Sequence, residues 1–164
     1  MDHETRVAAD DHHALKLWLR LLTCSNMVER SVRQSLRQRF DCTLPRFDLL
    51  AQLARSEDGL RMSELSRRLM VTGGNVTGIA DQLEAEGWIR REAVPDDRRA
   101  TRLRLTPEGR ARFSDMAGEH ERWIVDLLAS LSREEQAVLH GLLGRLKAGL
   151  QRFIPPAEPA DRIA

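Results

Sequence analysis

The chain has 164 residues, 41% hydrophobic and 31% charged, which suits one ordinary domain with a real core and argues against long disorder. Its 26 basic residues nearly balance 25 acidic ones, for a formal net charge of +1. That excludes a protein that holds nucleic acid by bulk charge alone, though not one with a local basic patch. No apolar run approaches the roughly 20 residues that span a bilayer, and Met1 to Asp11 is polar and acidic, unlike a secretory leader. A soluble cytoplasmic protein with no membrane partner is the expectation.

Residues 1–10 read as a flexible arm. From Asp11 to Phe40 there is no proline or glycine, and apolar residues recur at Leu15, Trp18, Leu19, Leu22, Val28, Val32, Leu36 and Phe40. Steps of three and four predict one long helix with a single apolar face. Thr43-Leu44-Pro45 opens a second helix, with proline where a missing N–H costs nothing. Phe47, Leu49, Leu50 and Leu53 carry it to about Arg55, and Asp58-Gly59 ends it. Leu60 to Met62 is a short extended link. Ser63 caps a brief helix to about Leu69, and Thr72 caps the next, which buries Val76, Ile79, Ala80 and Leu83 and stops at Gly87.

The period then changes. Trp88–Val94 and Ala100–Leu105 are extended, joined by the charged tip Pro95-Asp96-Asp97-Arg98-Arg99. In the second arm Thr101, Leu103 and Leu105 alternate with Arg102 and Arg104, predicting a half-buried strand with a basic outer face. Thr106-Pro107-Glu108 starts a helix with an apolar stripe that includes Phe113, Met116, His120 and Trp123. Ser132-Arg133-Glu134-Glu135 is a capping box for a last helix bearing Val138, Leu139, Leu142, Leu143, Leu146 and Leu150. The prolines at 155, 156 and 159 break any continuation, so 154–164 is expected to be flexible.

The predicted fold is mainly α with a small β-hairpin wing: a winged helix-turn-helix flanked by long helices. Three local runs sharpen this. Asp97-Arg98-Arg99 followed by Leu105-Thr106-Pro107-Glu108-Gly109 resembles the wing motif of the MarR family of transcriptional regulators. Leu83-Glu84-Ala85-Glu86-Gly87-Trp88-Ile89 and Thr43-Leu44-Pro45-Arg46-Phe47 are similar to the same family's pattern, and the resemblance extends over about residues 11–153. It implies a helical dimerisation region at 11–42 and 107–153, a DNA-binding domain at 43–106, and a homodimer on a palindromic operator in double-stranded DNA. Periodicity agrees, because the outer helices carry more apolar face than one small lobe can cover.

The resemblance implies that Arg99 at the wing tip enters a minor groove, held by Asp97. The alternative is a solvated surface ion pair of about 0–1 kcal/mol. Arg98 contacts phosphate or is simply solvated. On the recognition helix the outward residues are Gly73, Gly74, Asn75, Thr77, Gly78, Asp81 and Gln82. Asn75 and Gln82 have the donor–acceptor pair that reads adenine, and Thr77 suits a phosphate or a thymine methyl. Asn75 equally suits a local helix-start hydrogen bond. Thr72 and Gly74 complete this surface, with Gly74 permitting close backbone approach. Many family members carry basic residues where this chain has Gly78 and Gln82; residues 72–86 contain no lysine or arginine. Phosphate anchoring then falls to Arg61, Arg67, Arg68 and the wing. Only Lys16 and Lys147 are lysines, so basic contacts are overwhelmingly arginine's. This suits forked recognition of phosphates and bases, but also a GC-rich genome.

Family members commonly release DNA on binding a small anionic aromatic, or on sensing oxidation or metal. The expected pocket lies between the first, second and fifth helices, with Trp18, Leu22, Phe47, Met116 and His120 inside and Arg20, Arg30 and Arg46 at the rim; plain core or dimer seam is the competing reading. Gly73-Gly74-Asn75-Val76-Thr77-Gly78 resembles the branch that represses hydroxycinnamate breakdown, which implies an aryl-CoA effector. A redox reading needs a thiolate-stabilising site, yet the sensor position falls near Leu19, and Cys24 is expected to be buried and inert. The histidines lack convergent metal spacing. No nucleophile elbow, phosphate loop or HExxH pair appears, so no enzyme and no cofactor is expected. A winged-helix module that contacts only protein is the remaining alternative.

Overall fold

The computed structural model describes residues 9–69, 73–94 and 97–153. Thr72 and the expected flexible termini, apart from the helical Ala9 and Asp10, lie outside them. Helix α1 (Ala9–Phe40) leads to α2 (Leu44–Ala54), strand β1 (Leu60–Arg61), α3 (Met62–Leu69) and α4 (Gly73–Ala85). Strands β2 (Ile89–Val94) and β3 (Asp97–Leu105) follow, then α5 (Pro107–Leu127) and α6 (Arg133–Leu150). The sheet is antiparallel in the order β1-β3-β2, with Leu60 opposite Leu103 and Ile89 opposite Leu105.

Local chemistry accounts for the junctions. Helix α1 ends where Asp41 takes the left-handed conformation (φ 47°). The amides of Asp41 and Cys42 then reach back to the carbonyls of Arg37 and Leu36. That is a closure glycine usually provides; aspartate is among the few other residues that tolerate it. Helix α4 ends the same way at Gly87 (φ 76°), with Trp88 N–H donating to the Leu83 carbonyl at 2.9 Å. The capping box forms as expected: the Ser132 hydroxyl accepts from Glu135 N–H, and the Glu135 carboxylate accepts from Ser132 N–H.

One core unites the middle of the chain. Leu36 of α1, Leu49 and Leu50 of α2, Leu65 of α3, Val76, Ala80 and Leu83 of α4, Leu103 of β3 and Met116 of α5 are all essentially inaccessible. The N-terminal half of α1 and all of α6 stand outside this core. No residue of α6 is buried, and Trp18 is 54% exposed.

Three expectations need correction. Helix α3 begins at Met62, so Ser63 lies in its first turn and is not its cap. The hairpin connection is two residues, because β3 begins at Asp97 and not at Ala100. Val94 pairs with Asp97 while Ala93 pairs with Thr101, so Arg98, Arg99 and Ala100 form a bulge on β3 that strict alternation could not reveal. Cys24 is exposed, because it sits on the part of α1 that leaves the lobe; Cys42 is the buried cysteine.

Candidate nucleic-acid interface

Helix α4 turns Val76, Ala80 and Leu83 into the core, which leaves Gly74, Asn75, Thr77, Gly78, Asp81 and Gln82 on one exposed stripe. A Cβ built at Gly74 or Gly78 would meet nothing within 4 Å. Packing within the chain therefore does not require glycine at either position, although each costs helix stability. Arg67 and Arg68 of α3 and Arg61 of β1 are exposed, and Arg68 pairs with Glu64 at 2.7 Å. The side chains of Asp97, Arg98 and Arg99 lie outside the described residues, as does Thr72, so the Asp97–Arg99 pairing stays an expectation.

On the basic outer face of the wing, Arg90 and Arg104 are already paired, while the Nε of Arg102 is buried without a hydrogen-bond partner. Arg90 pairs with Glu92 at 2.6 Å. Arg104 reaches the Glu57 carbonyl at 2.8 Å and the carboxylates of Asp58 and Glu92 at 3.4 and 3.6 Å. Arg91 of β2 crosses to α4, meeting Asp81 and Glu84 at 2.5 Å each, while its own N–H donates to Glu84 at 3.2 Å. These two carboxylates hold the Arg91 guanidinium further above its ordinary pKa, the hydrogen bond to Asp81 being the largest cause.

A compact knot fixes the reading helix to the rest of the lobe. The Thr106 hydroxyl donates to the Gly87 carbonyl at 2.7 Å and accepts from Gly109 N–H at 3.0 Å, while Thr106 N–H donates to the Trp88 carbonyl. A Cβ at Gly109 would lie 1.9 Å from the Trp88 carbonyl oxygen, so only glycine lets α5 start against the wing base. Trp88 has Arg46 on its ring at 5.2 Å and Arg112 at 6.0 Å, and Arg46 also pairs with Glu86. Arg46 thus ties α2 to the end of α4. Pattern alone did not single out the tethering by Arg46 and Arg91, because both depend on contacts far apart in sequence.

Of the residues expected to form an effector pocket, the structure brings together Phe47, Met116 and His120. Phe47 and Met116 are buried, and the Phe47 ring lies 4.9 Å from His120 and 5.5 Å from Phe113. Burial lowers the His120 pKa, opposed by Asp48 nearby, and burial raises that of Asp48, opposed by His120. Trp18, Arg20, Leu22 and Arg30 are exposed on α1 and do not join this cluster within one chain. A separate surface cleft of about 370 Å³ lies between Arg37–Asp41, Trp88, Arg112, Asp115 and Met116. Burial pushes the Cys42 thiol above its ordinary pKa, which disfavours the reactive thiolate. Among the described residues no group of three or more His, Cys, Asp or Glu is placed to hold a metal ion, and no helix is long and apolar enough to cross a membrane.

Comparison with known proteins agrees with this architecture. Residues 40–100 match the model of the MarR family. The chain is 36% identical over 106 residues to the HTH-type transcriptional regulator PecS of Dickeya dadantii, covering 63% of this chain and 64% of that protein. The match thus spans just under two thirds of that relative's length. An uncharacterized HTH-type transcriptional regulator of Bacillus cereus is 30% identical over 143 residues, covering 87% of this chain and 94% of its own. Among solved structures, Sco3205 of Streptomyces coelicolor, a MarR family transcriptional regulator in complex with DNA, aligns with a TM-score of 0.76 at 25% identity, covering 97% of both chains. The apo form of MarR from E. coli shares the fold, with a TM-score of 0.71 at 24% identity, covering 79% of this chain and 96% of that one.

Proposed function

Given that the chain belongs to the MarR family, we propose that it is a dimeric, sequence-specific DNA-binding transcriptional regulator of the cytoplasm, a repressor released by a small anionic aromatic or its CoA thioester. The observation that carries the DNA-binding part is the stripe on α4. It presents small and amide side chains with one carboxylate, Asp81, and open space above two glycines, flanked in sequence by the arginines of α3 and of the wing. A helix of that profile can approach the floor of a major groove closely. Asn75 and Gln82 read bases, with Thr77 and Gly74 at the closest approach and Thr72 at the helix start. Arg61, Arg67 and Arg68 take phosphates. Arg99, positioned by Asp97, enters the minor groove, and Arg98 contacts the adjoining backbone.

Residues 11–42 and 107–153 form the dimerisation region, in which a second copy covers the exposed leucines of α1 and α6. Dimerisation also offers a reason for the dispersed effector residues. Trp18 and Leu22 come from the exposed apolar face of α1 and Arg20 and Arg30 from exposed positions further round the same helix, while Phe47, Met116 and His120 are the lobe's contribution and Arg46 lies at the edge. An effector that binds one spacing of the two reading heads better than the other shifts the equilibrium; one with equal affinity for both shifts nothing. A tenfold release requires about 1.4 kcal/mol of differential binding.

The test is retardation of DNA from the protein's own upstream promoter, across a salt series, with and without coumarate, ferulate, benzoate and their CoA thioesters. Binding that weakens with salt is expected. Arg99→Ala should lose about 1–3 kcal/mol per half-site with the fold intact. Absence of any promoter binding at low salt overturns the DNA-binding reading. Binding that none of these compounds relieves overturns the effector alone.

A further inference from the structure

We propose that Arg91 is a positioning residue for DNA binding: it draws the two carboxylates of the reading helix back onto the wing and cancels charge that would otherwise face the phosphate backbone. This rests on the proposed DNA-binding function and deepens it.

Helix α4 carries Asp81 and Glu84 and no lysine or arginine. Asp81 lies on the exposed stripe, between Thr77 and Gly78 around the helix, with its side chain 59% exposed. A lone carboxylate there would oppose a polyanion at the closest point of approach. Arg91 answers both carboxylates with one guanidinium, at 2.5 Å to each, and its N–H adds a third contact at 3.2 Å to Glu84. The planar fork makes this double pairing possible; a lysine ammonium is a single point charge. The same contacts set the angle between β2 and α4, so one residue both neutralises the reading helix and orients the wing beside it. At 31% exposed, the Arg91 side chain is the most shielded of the three, as a clamp between two elements should be.

Two other roles make different predictions. If Arg91 itself grips a phosphate, the affinity lost with Arg91 is not regained by removing the Asp81 charge. If Asp81 reads a cytosine amino group, removing its charge costs operator affinity.

A double-mutant cycle on the full-length protein separates them, using promoter-fragment affinity across a salt series, with thermal melting as the check on folding. Arg91→Ala is expected to weaken binding roughly tenfold at moderate salt and to flatten the salt slope by about one. Asp81→Asn alone is expected to change affinity by less than about threefold, because its charge is already answered. In the Arg91→Ala background the same change is expected to restore most of the tenfold and the slope. Equal effects of Asp81→Asn in both backgrounds, a loss with Asp81→Asn alone, or full affinity in Arg91→Ala would each overturn the proposal. If Arg91→Ala melts too low to assay, Arg91→Lys takes its place in the cycle, with the same non-additivity expected at smaller size. Failure of the unmutated protein to bind DNA defeats the function itself, whereas binding with an additive cycle defeats only the role of Arg91.

Discussion

The winged-helix lobe and the terminal helices carry the same kind of apolar pattern and treat it in opposite ways. Leu49, Leu50 and Leu53 of α2 are spaced as on any amphipathic helix, and all three are buried. Leu139, Leu142 and Leu146 of α6 repeat similar spacing and remain 40%, 53% and 44% exposed. A helical stripe therefore states that a face is to be covered, without stating what covers it. In the lobe the covering surface comes from α1, α3, α4, the first half of α5 and the sheet of the same chain. On the arms no described residue supplies one.

The sharpest way to break this contrast is to make one substitution in each region. Leu50→Ala should cost about 2–5 kcal/mol of unfolding free energy at every protein concentration, since it leaves a cavity in a core that cannot collapse freely. Leu146→Ala should cost much less in the dissociated chain. Its cost should appear as weakened association, up to about 1.5–3 kcal/mol per buried side chain. Denaturant melts at several concentrations, paired with sedimentation, check both. A concentration-independent loss for Leu146→Ala would mean that the arms are covered from within.

Glycines give a second contrast, smaller and of opposite sign. Gly109→Ala would drive a Cβ into the Trp88 carbonyl and should destabilise by about 1–3 kcal/mol. Gly144 lies on the side of α6 that carries His140 and Lys147, and a Cβ there meets nothing within 4 Å. Gly144→Ala should stabilise by about 0.5–1 kcal/mol through helix propensity. Calorimetric melting of the two variants measures the difference.

The smallest effect is a pH response confined to the lobe. The folded state lowers the His120 pKa below its ordinary 6.5, so it binds fewer protons there than the unfolded chain. Stability from this group is present above 6.5 and is lost as pH falls toward the lowered value. Asp48 works oppositely: its raised pKa means that the folded state binds more protons, so stability rises as pH falls through the raised value toward 3.8. His120→Gln should therefore flatten the loss as pH falls below 6.5, with Asp48 acting only at the acid end. Chemical denaturation of both proteins at fixed pH steps checks the sign.

Much of the fold was legible because its signals are local. Phe47, Leu50 and Leu53 mark a helix face by spacing, Ser132 and Glu135 mark a helix start by capping chemistry, and Gly87 marks a stop by its freedom at positive φ. The glycine stripe on α4 was legible for the same reason: helical geometry alone puts Gly74 and Gly78 on one face. The bulge at Arg98–Ala100 was not, because pairing register depends on the partner strand and not on alternation within β3. Nor was the pairing of two wing arginines, since Arg104 and Arg91 meet carboxylates from β1's approach loop and from α4.

The sequence by itself determined which faces are apolar, where most helices begin and end, though not the start of α3, and which residues line the outer side of the reading helix. These follow from backbone periodicity and from hydrogen bonds between near neighbours. Tertiary structure alone decided which arginines are already spent on carboxylates, that Cys42 and not Cys24 is buried, and that Gly109 must have no side chain. Each of those depends on how close two distant segments come, a distance that no local pattern encodes.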